Sequence, residues 1–347
     1  MKILLFIPNG LGDVLMSFPA INFLLQKKQE FAVVVQNKTQ TSALRQRYGP
    51  DLKILERFDG GRFSQVRLLL QIRKFNPGEI YAPLAANRLL NVIFFLLTAS
   101  RVYLPGVIKR RIFNIHYLPY SLSTYDGHQV NYVLDFLEHF KSRSHVEPSA
   151  LFIKSNLAYD FIPTTLAAGV RLAVGLSCGE IERHKIPRPS FFSEVVNKLT
   201  TLIADDITVF VFGVGNDAIL IEEFIGQLDP KIKVIQQLDS HLEQVFAGLS
   251  KCNLGIAGTT GQGHMMAAVN LPMVVLAGVT NPAESGPYTS IQKVISHNYK
   301  CGPCYSVSNT RGCGYPCMDD LDSDLTAHAM VKLLKNKNCN LNAALKK

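Results

Sequence analysis

Twice along this chain an apolar run of strand length breaks into a glycine-rich turn and then into a helical pattern. That repeated punctuation constrains the fold more than any other feature. In the first instance Ile3–Ile7 runs into Asn9-Gly10-Leu11-Gly12-Asp13. Val14–Lys27 follows, with Leu15, Phe18, Ile21, Leu24 and Leu25 at helical spacing. In the second, Ile256-Ala257-Gly258 passes through Thr259-Thr260-Gly261-Gln262-Gly263 to His264–Asn270, then returns past Pro272 into Met273–Ala277. Alternating strands and helices of this kind predict an α/β chain with mostly parallel sheets.

With 347 residues the chain exceeds one ordinary core of ~100–200 residues, so two domains are expected. Further strands are predicted at Phe31–Val35, Ile80–Pro83, Arg171–Leu176, Thr208–Phe212, Lys233–Ile235 and Leu254–Ala257. Helices are predicted at Arg88–Thr98, His128–Phe140, Ser193–Ile203, Ala218–Leu228 and Leu242–Leu249. Periodicity lapses over Lys141–Thr165, which carries Pro148 and Pro163, so the connection is placed there. The expected division is 1–160, 161–325 with a cysteine-rich loop at 301–317, and a tail over 322–347. The tail's helix, Asp324–Lys335, is capped by Ser323 or Asp322.

The longest near-continuous apolar run, Leu89–Ala99, falls well short of the ~20 residues that span a bilayer, and the N-terminus reads as a strand and not a signal peptide. A cytoplasmic protein is expected. Its formal charge of +9 favours polyanionic partners. Arg62, Arg67, Arg73, Lys74, Lys109, Arg110 and Arg111 crowd the first half, either as a solvated face or as a surface for phosphorylated ligands and anionic lipid.

A turn between a strand and a helix aims backbone N–H groups and the positive helix end at one place, which suits a phosphate. Gly10 and Gly12 begin a dinucleotide fingerprint, but Leu15 holds its third glycine position. Asp13 is there either to cap its own helix or to act as a base. Cys301, Cys304, Cys313 and Cys317 give C-x2-C-x8-C-x3-C, suited to tetrahedral Zn2+ or iron, with a reduced or disulfide-linked loop as the alternative. Cys178, Cys252 and Cys339 are read as incidental.

Gly10-Leu11-Gly12-Asp13-Val14-Leu15 with Pro19-Ala20 resembles the opening motif of glycosyltransferase family nine, the ADP-heptose:lipopolysaccharide heptosyltransferases. Thr259-Thr260-Gly261-Gln262-Gly263-His264, followed by Gly278-Val279-Thr280-Asn281-Pro282, resembles its donor motif. Arg183-His184-Lys185-Ile186-Pro187 resembles its Lys-Trp-Pro segment. One departure stands out: Thr259 occupies the place where the family usually has Asp.

The resemblance implies a GT-B fold, in which two Rossmann-like domains with parallel sheets face a central cleft. The first would bind the acceptor and the second a nucleotide sugar, with the tail helix packing back on the first. It implies Asp13 as general base and Lys185 at the donor phosphates. Thr259, Thr260, Gly261 and His264 would line the donor, and Gly213 and Asp217 would lie near the nucleoside. The acceptor would be a phosphorylated glycolipid or glycan, with peripheral membrane contact on the inner face. Related autotransporter heptosyltransferases imply iron at the cysteine loop, while no catalytic metal and no nucleic acid are expected. Two competing readings are a nicotinamide- or nucleotide-dependent oxidoreductase and a zinc-containing nucleic-acid binder. The first needs a complete glycine fingerprint and an acidic ribose ligand, and the second needs aromatics beside the basic residues.

Overall fold

The computed structural model describes residues 1–7, 10–57, 64–85, 95–98, 100–106, 110–153, 169–178, 180–297, 299–304 and 313–344. They fall into two compact units, Met1–Leu151 and Phe152–Lys347.

The first unit opens with β1 (Ile3–Phe6), α1 (Leu11–Met16), α2 (Phe18–Gln26), β2 (Phe31–Val35), α3 (Lys38–Tyr48) and β3 (Ile54–Glu56). Then come α4 (Ser64–Phe75), β4 (Glu79–Tyr81), β5 (Arg101–Pro105), β6 (Arg110–Ile112), β7 (Ile115–Leu118) and α5 (Gln129–Leu137). The sheet order is β3-β2-β1-β4-β5-β7-β6, parallel except where β6 meets β7. Leu5 sits between Val33 and Tyr81 in register, and every residue of β1 and β2 is buried. Strands covered on both faces read as unbroken apolar runs, which is why these two were visible in sequence. One face packs Leu4, Phe6, Val34, Ile80 and Val102 against Leu68, Ile72 and Phe75 of α4.

The helix predicted over Val14–Lys27 is two helices. Ser17 separates them with φ −90° and ψ −2°, and Pro19, which has no N–H to donate, stands in the first turn of α2. Of the helix predicted over Arg88–Thr98, residues 88–94 lie outside the described residues.

The second unit contains β8 (Val170–Gly175), α6 (Pro189–Leu202), β9 (Ile207–Gly213), α7 (Ala218–Ile225), β10 (Lys233–Leu238), α8 (Leu242–Lys251) and β11 (Leu254–Gly258). It continues with α9 (Gly261–Ala268), β12 (Met273–Ala277), α10 (Pro282–Ser285), β13 (Gln292–Ser296), α11 (Pro316–Asp319) and α12 (Ser323–Ala344). All its strand pairs are parallel, in the order β10-β9-β8-β11-β12-β13. In chain order that is 3-2-1-4-5-6, the doubly wound nucleotide-binding arrangement. Asp322 caps α12 by accepting from the Leu325 amide at 2.8 Å, and α12 packs along α6. Lys198 Nζ joins the two helices by donating to Asp324 at 2.7 Å and to the Ser323 hydroxyl at 2.8 Å.

In each sheet the winding reverses beside the first strand, at β1/β4 and at β8/β11. Crevices for ligands form beyond the carboxyl ends of strands at such reversals. Both glycine turns sit there. No helix among the described residues is long and apolar enough to cross a membrane.

Candidate functional site

In the first unit, Asp13 is half-buried in the single turn and a half of α1, directly after β1. Its Oδ2 accepts from the Gly10 amide at 3.0 Å, so the carboxylate does cap its own helix. Its Oδ1 accepts from Gln129 Nε2 at 2.5 Å. Gln129 starts α5 behind His128, whose Nδ1 caps that helix by accepting from the Val130 amide at 3.2 Å. Capping and base chemistry do not exclude each other, because a carboxylate offers about four lone-pair sites. Of the basic cluster, Arg67, Arg73 and Lys74 are exposed on α4 and Arg111 on β6, whereas Arg62, Lys109 and the side chain of Arg110 lie outside the described residues.

In the second unit the residues gather around the β8/β11 reversal. Gly258 ends β11, and a Cβ there would lie 2.7 Å from the Lys185 carbonyl oxygen. Only bare backbone lets the Glu180–Lys185 turn lie this close to the strand. Gly263 does the same for α9, since its Cβ would meet the Gly258 carbonyl at 2.5 Å. Gly263→Val is therefore expected to cost about 1–3 kcal/mol of stability, seen as a lower denaturant midpoint at unchanged m.

Lys185 Nζ pairs with Glu182 Oε1 at 2.7 Å, and its side chain is 11% exposed. The Thr259 and Thr280 hydroxyls are buried and hydrogen-bonded to each other, a neutral pair just past the end of β11. Thr260 is the N-cap residue of α9 and 3% exposed, yet its hydroxyl makes no capping bond. Among the described residues, Thr260 Oγ1 and Arg183 Nη1 are buried polar atoms with no partner. Leaving such a group unmet costs about 1–3 kcal/mol. Gly261 opens α9 and His264 is buried in its first turn.

Gln262, which the sequence did not single out, fastens three elements. Its Oε1 accepts from the Ser177 amide at 2.9 Å, and its Nε2 donates to the Phe212 carbonyl at 2.7 Å. Asp217 is buried against Gly213, with Oδ2 accepting from the Val214 amide at 2.9 Å. Burial first, and then Glu182, pushes the Cys178 thiol up to about 12, opposed by Arg183 and Lys185, with Asp217 adding a smaller push. A thiol with that pKa holds only about one part in ten thousand as reactive thiolate at pH 8. Iodoacetamide is accordingly expected to spare Cys178 in the folded chain and to label it once the chain is denatured. Peptide mass spectrometry of the alkylated chain checks this.

The cysteine loop borders the same turn. Cys304 donates its amide to the Val279 carbonyl at 2.9 Å, and a Cβ on Gly278 would fall 3.0 Å from Cys317 Sγ. Tyr315 stacks on His184 with ring centroids 4.7 Å apart, and Arg188 pairs with Asp319 at 3.2 Å. Burial raises the Cys317 thiol, and Cys304, Cys301 and Cys313 raise it further. The described cysteines are free thiols, and no three His, Cys, Asp or Glu side chains among the described residues already form a metal shell.

The sequence model of a family described as glycosyltransferase family 9 (heptosyltransferase) matches residues 190–313. Lipooligosaccharide heptosyltransferase 2 of Campylobacter jejuni is 22% identical over 344 residues, covering 97% of this chain and 99% of its own. Among solved structures, a family 9 glycosyl transferase from Veillonella parvula superposes with TM-score 0.74 at 17% identity, over 96% of this chain and 97% of that one. ADP-heptose lps heptosyltransferase II of E. coli gives TM-score 0.68 at 15% identity, over 97% and 100%. TibC of enterotoxigenic E. coli, described as an iron-containing dodecameric glycosyltransferase, gives 0.52 at 15%, over 99% and 76%. None of these is an oxidoreductase or a nucleic-acid binder. The match to glycosyltransferase family 9 (heptosyltransferase) thus lies within the second unit, and the chain has the two-unit α/β fold of the solved heptosyltransferases.

Proposed function

We propose that this chain is an inverting glycosyltransferase that moves a heptose or related sugar from a nucleotide diphosphate to a hydroxyl of a lipopolysaccharide core or another cell-envelope glycan. The observation that carries this reading is the amide-lined edge of the second sheet, where the head of α9 and the turn bearing Arg183 and Lys185 meet at the β8/β11 reversal. That edge suits a diphosphate, because a lysine and a positive helix end both stabilise charge on a leaving group. Oxygens of the donor would also give Thr260 Oγ1 and Arg183 Nη1 the partners they lack within the protein.

In the reaction the acceptor hydroxyl attacks the anomeric carbon as its bond to the diphosphate oxygen breaks. Asp13 takes the hydroxyl proton, and Lys185 and the α9 amides take the departing charge. Gly213 and Asp217 approach the nucleoside, and His264 lines the donor with Thr259, Thr260 and Gly261. The Thr259–Thr280 pair makes the sugar side of this pocket neutral where a carboxylate is usual in the family, so donor choice is set by hydroxyl contacts there. Arg67, Arg73, Lys74 and Arg111 support a phosphorylated glycolipid acceptor and contact with the anionic inner face of the membrane.

The reading extends to the cysteines, where Cys301, Cys304, Cys313 and Cys317 together hold one structural zinc or iron ion. The C-x2-C-x8-C-x3-C spacing supports it, as does the iron described for TibC. Binding would turn the exposed Cys301 and Cys313 inward onto Cys304 and Cys317, filling a tetrahedral shell. Purified protein is expected to carry about one metal equivalent, and stripping it with a chelator should lower Tm. Metal-free protein with four titratable thiols in this loop would remove the proposal.

Thermal shift tests the whole reading. An ADP-sugar at a hundredfold excess over its Kd should stabilise the native state by about 2.7 kcal/mol. A shift with NAD and none with any nucleotide sugar would overturn it.

A further inference from the structure

Asp13 needs only one carboxylate oxygen to cap α1, and the Gly10 amide takes it. The other oxygen is held separately. Gln129, 3% exposed, reaches it from α5 with a 2.5 Å hydrogen bond between residues 116 positions apart in the chain. The amide group cannot wander, because Gln129 is the first residue of a helix whose start His128 fixes. Two bonds on two different oxygens lock both the position and the twist of a carboxylate, which one bond cannot do.

The chemistry of the donor matters as well. A lysine or arginine at this place would hold Asp13 with a full charge and depress its affinity for a proton by about one to three units. A neutral amide holds the carboxylate while lowering its basicity much less. From this arrangement we infer that Gln129 is a positioning residue: it orients the Asp13 carboxylate for proton transfer without quenching it. The inference rests on Asp13 being the base.

Asp13 is the sole ionisable residue of α1, and α2 has none. On α3, Lys38 is exposed, Arg45 donates to the Leu52 carbonyl, and Arg47 donates to the Ala150 carbonyl, with Tyr48 bonded to Asn22. On α5, Asp135 accepts from the Tyr125 hydroxyl and the Ser144 amide. His128, just before α5, is the nearest histidine in sequence to Gln129.

The test compares Gln129→Leu and Gln129→Met with the parent chain, using the pH dependence of kcat, the donor KM and thermal unfolding. Either variant is expected to lower kcat about tenfold or more, with donor KM within about twofold and cooperative unfolding retained. The acidic limb of the kcat profile should move to higher pH, because a carboxylate that loses a hydrogen bond to its ionised form binds protons more readily. Gln129→Asn, which keeps the amide but shortens the reach, should behave like the leucine variant. Two results overturn the inference: a kcat within about twofold of the parent in both variants, or a lower kcat with an unmoved acidic limb. The second would mark Gln129 as a packing residue only. An Asp13→Ala protein that keeps most of its rate would instead remove the base itself, and that outcome is distinguishable because it needs no change at Gln129.

Discussion

Asp13→Asn is expected to lower kcat by about a hundred- to ten-thousand-fold while donor affinity stays within a few-fold. This variant is more telling than alanine because the proposed base, Asp13, also caps its own helix. It caps α1 through the Gly10 amide, and an N-cap interaction of this kind is worth about 0.5–2 kcal/mol. Alanine removes cap and base together, so a loss of rate could follow from a frayed helix. Asparagine keeps a carbonyl oxygen to accept from Gly10 but has no basicity to take a proton. Both variants should therefore lose the rate, and only Asp13→Ala should lose measurable stability. If Asp13→Asn turns over at near the parent rate, the carboxylate is a cap and nothing more. Single-turnover assays with a saturating donor separate the two outcomes, since the donor is held by other residues and its affinity reports on the second unit alone.

Which parts of this molecule were readable in sequence depended on burial. Strands covered on both faces, such as Phe31–Val35 and Met273–Ala277, were found to the residue because burial leaves nothing but apolar side chains. α3 was missed because its sequence, KTQTSALRQRY, has no apolar stripe, and what it buries is Gln40, Ala43 and Leu44. The charges of α4 drew notice as a basic cluster, yet the same segment buries Leu68, Ile72 and Phe75 at helical spacing. β3 and β6 are three residues each, too short for any period to show. Asp13, Lys185 and the α9 turn stood out as candidates because glycines and a family motif marked them. Gln129 and Gln262 were not, since a glutamine at a helix head carries no pattern. Their meaning comes from partners far away in sequence: Asp13 for the first, Ser177 and Phe212 for the second.

Lys185 is where the largest loss of donor binding is expected. Its side chain is mostly buried and held by Glu182, and its backbone carbonyl lies against Gly258 at the carboxyl end of β11. A charged hydrogen bond to a phosphate is worth about 1.5–3 kcal/mol, so Lys185→Met should raise the Kd of an ADP-sugar about ten- to a hundredfold. Methionine keeps most of the stem's packing, which limits the effect to charge. Glu182, whose side chain is 39% exposed, can turn to water when its partner goes, so unfolding should shift little. The loss should exceed what binding alone requires, because the charge on the diphosphate grows as the sugar leaves, and kcat should fall along with affinity. Raising salt should weaken donor binding in the parent chain more than in the variant, since one screened charge pair is already gone. Calorimetry that finds the same Kd in both proteins would place the diphosphate elsewhere on the second unit.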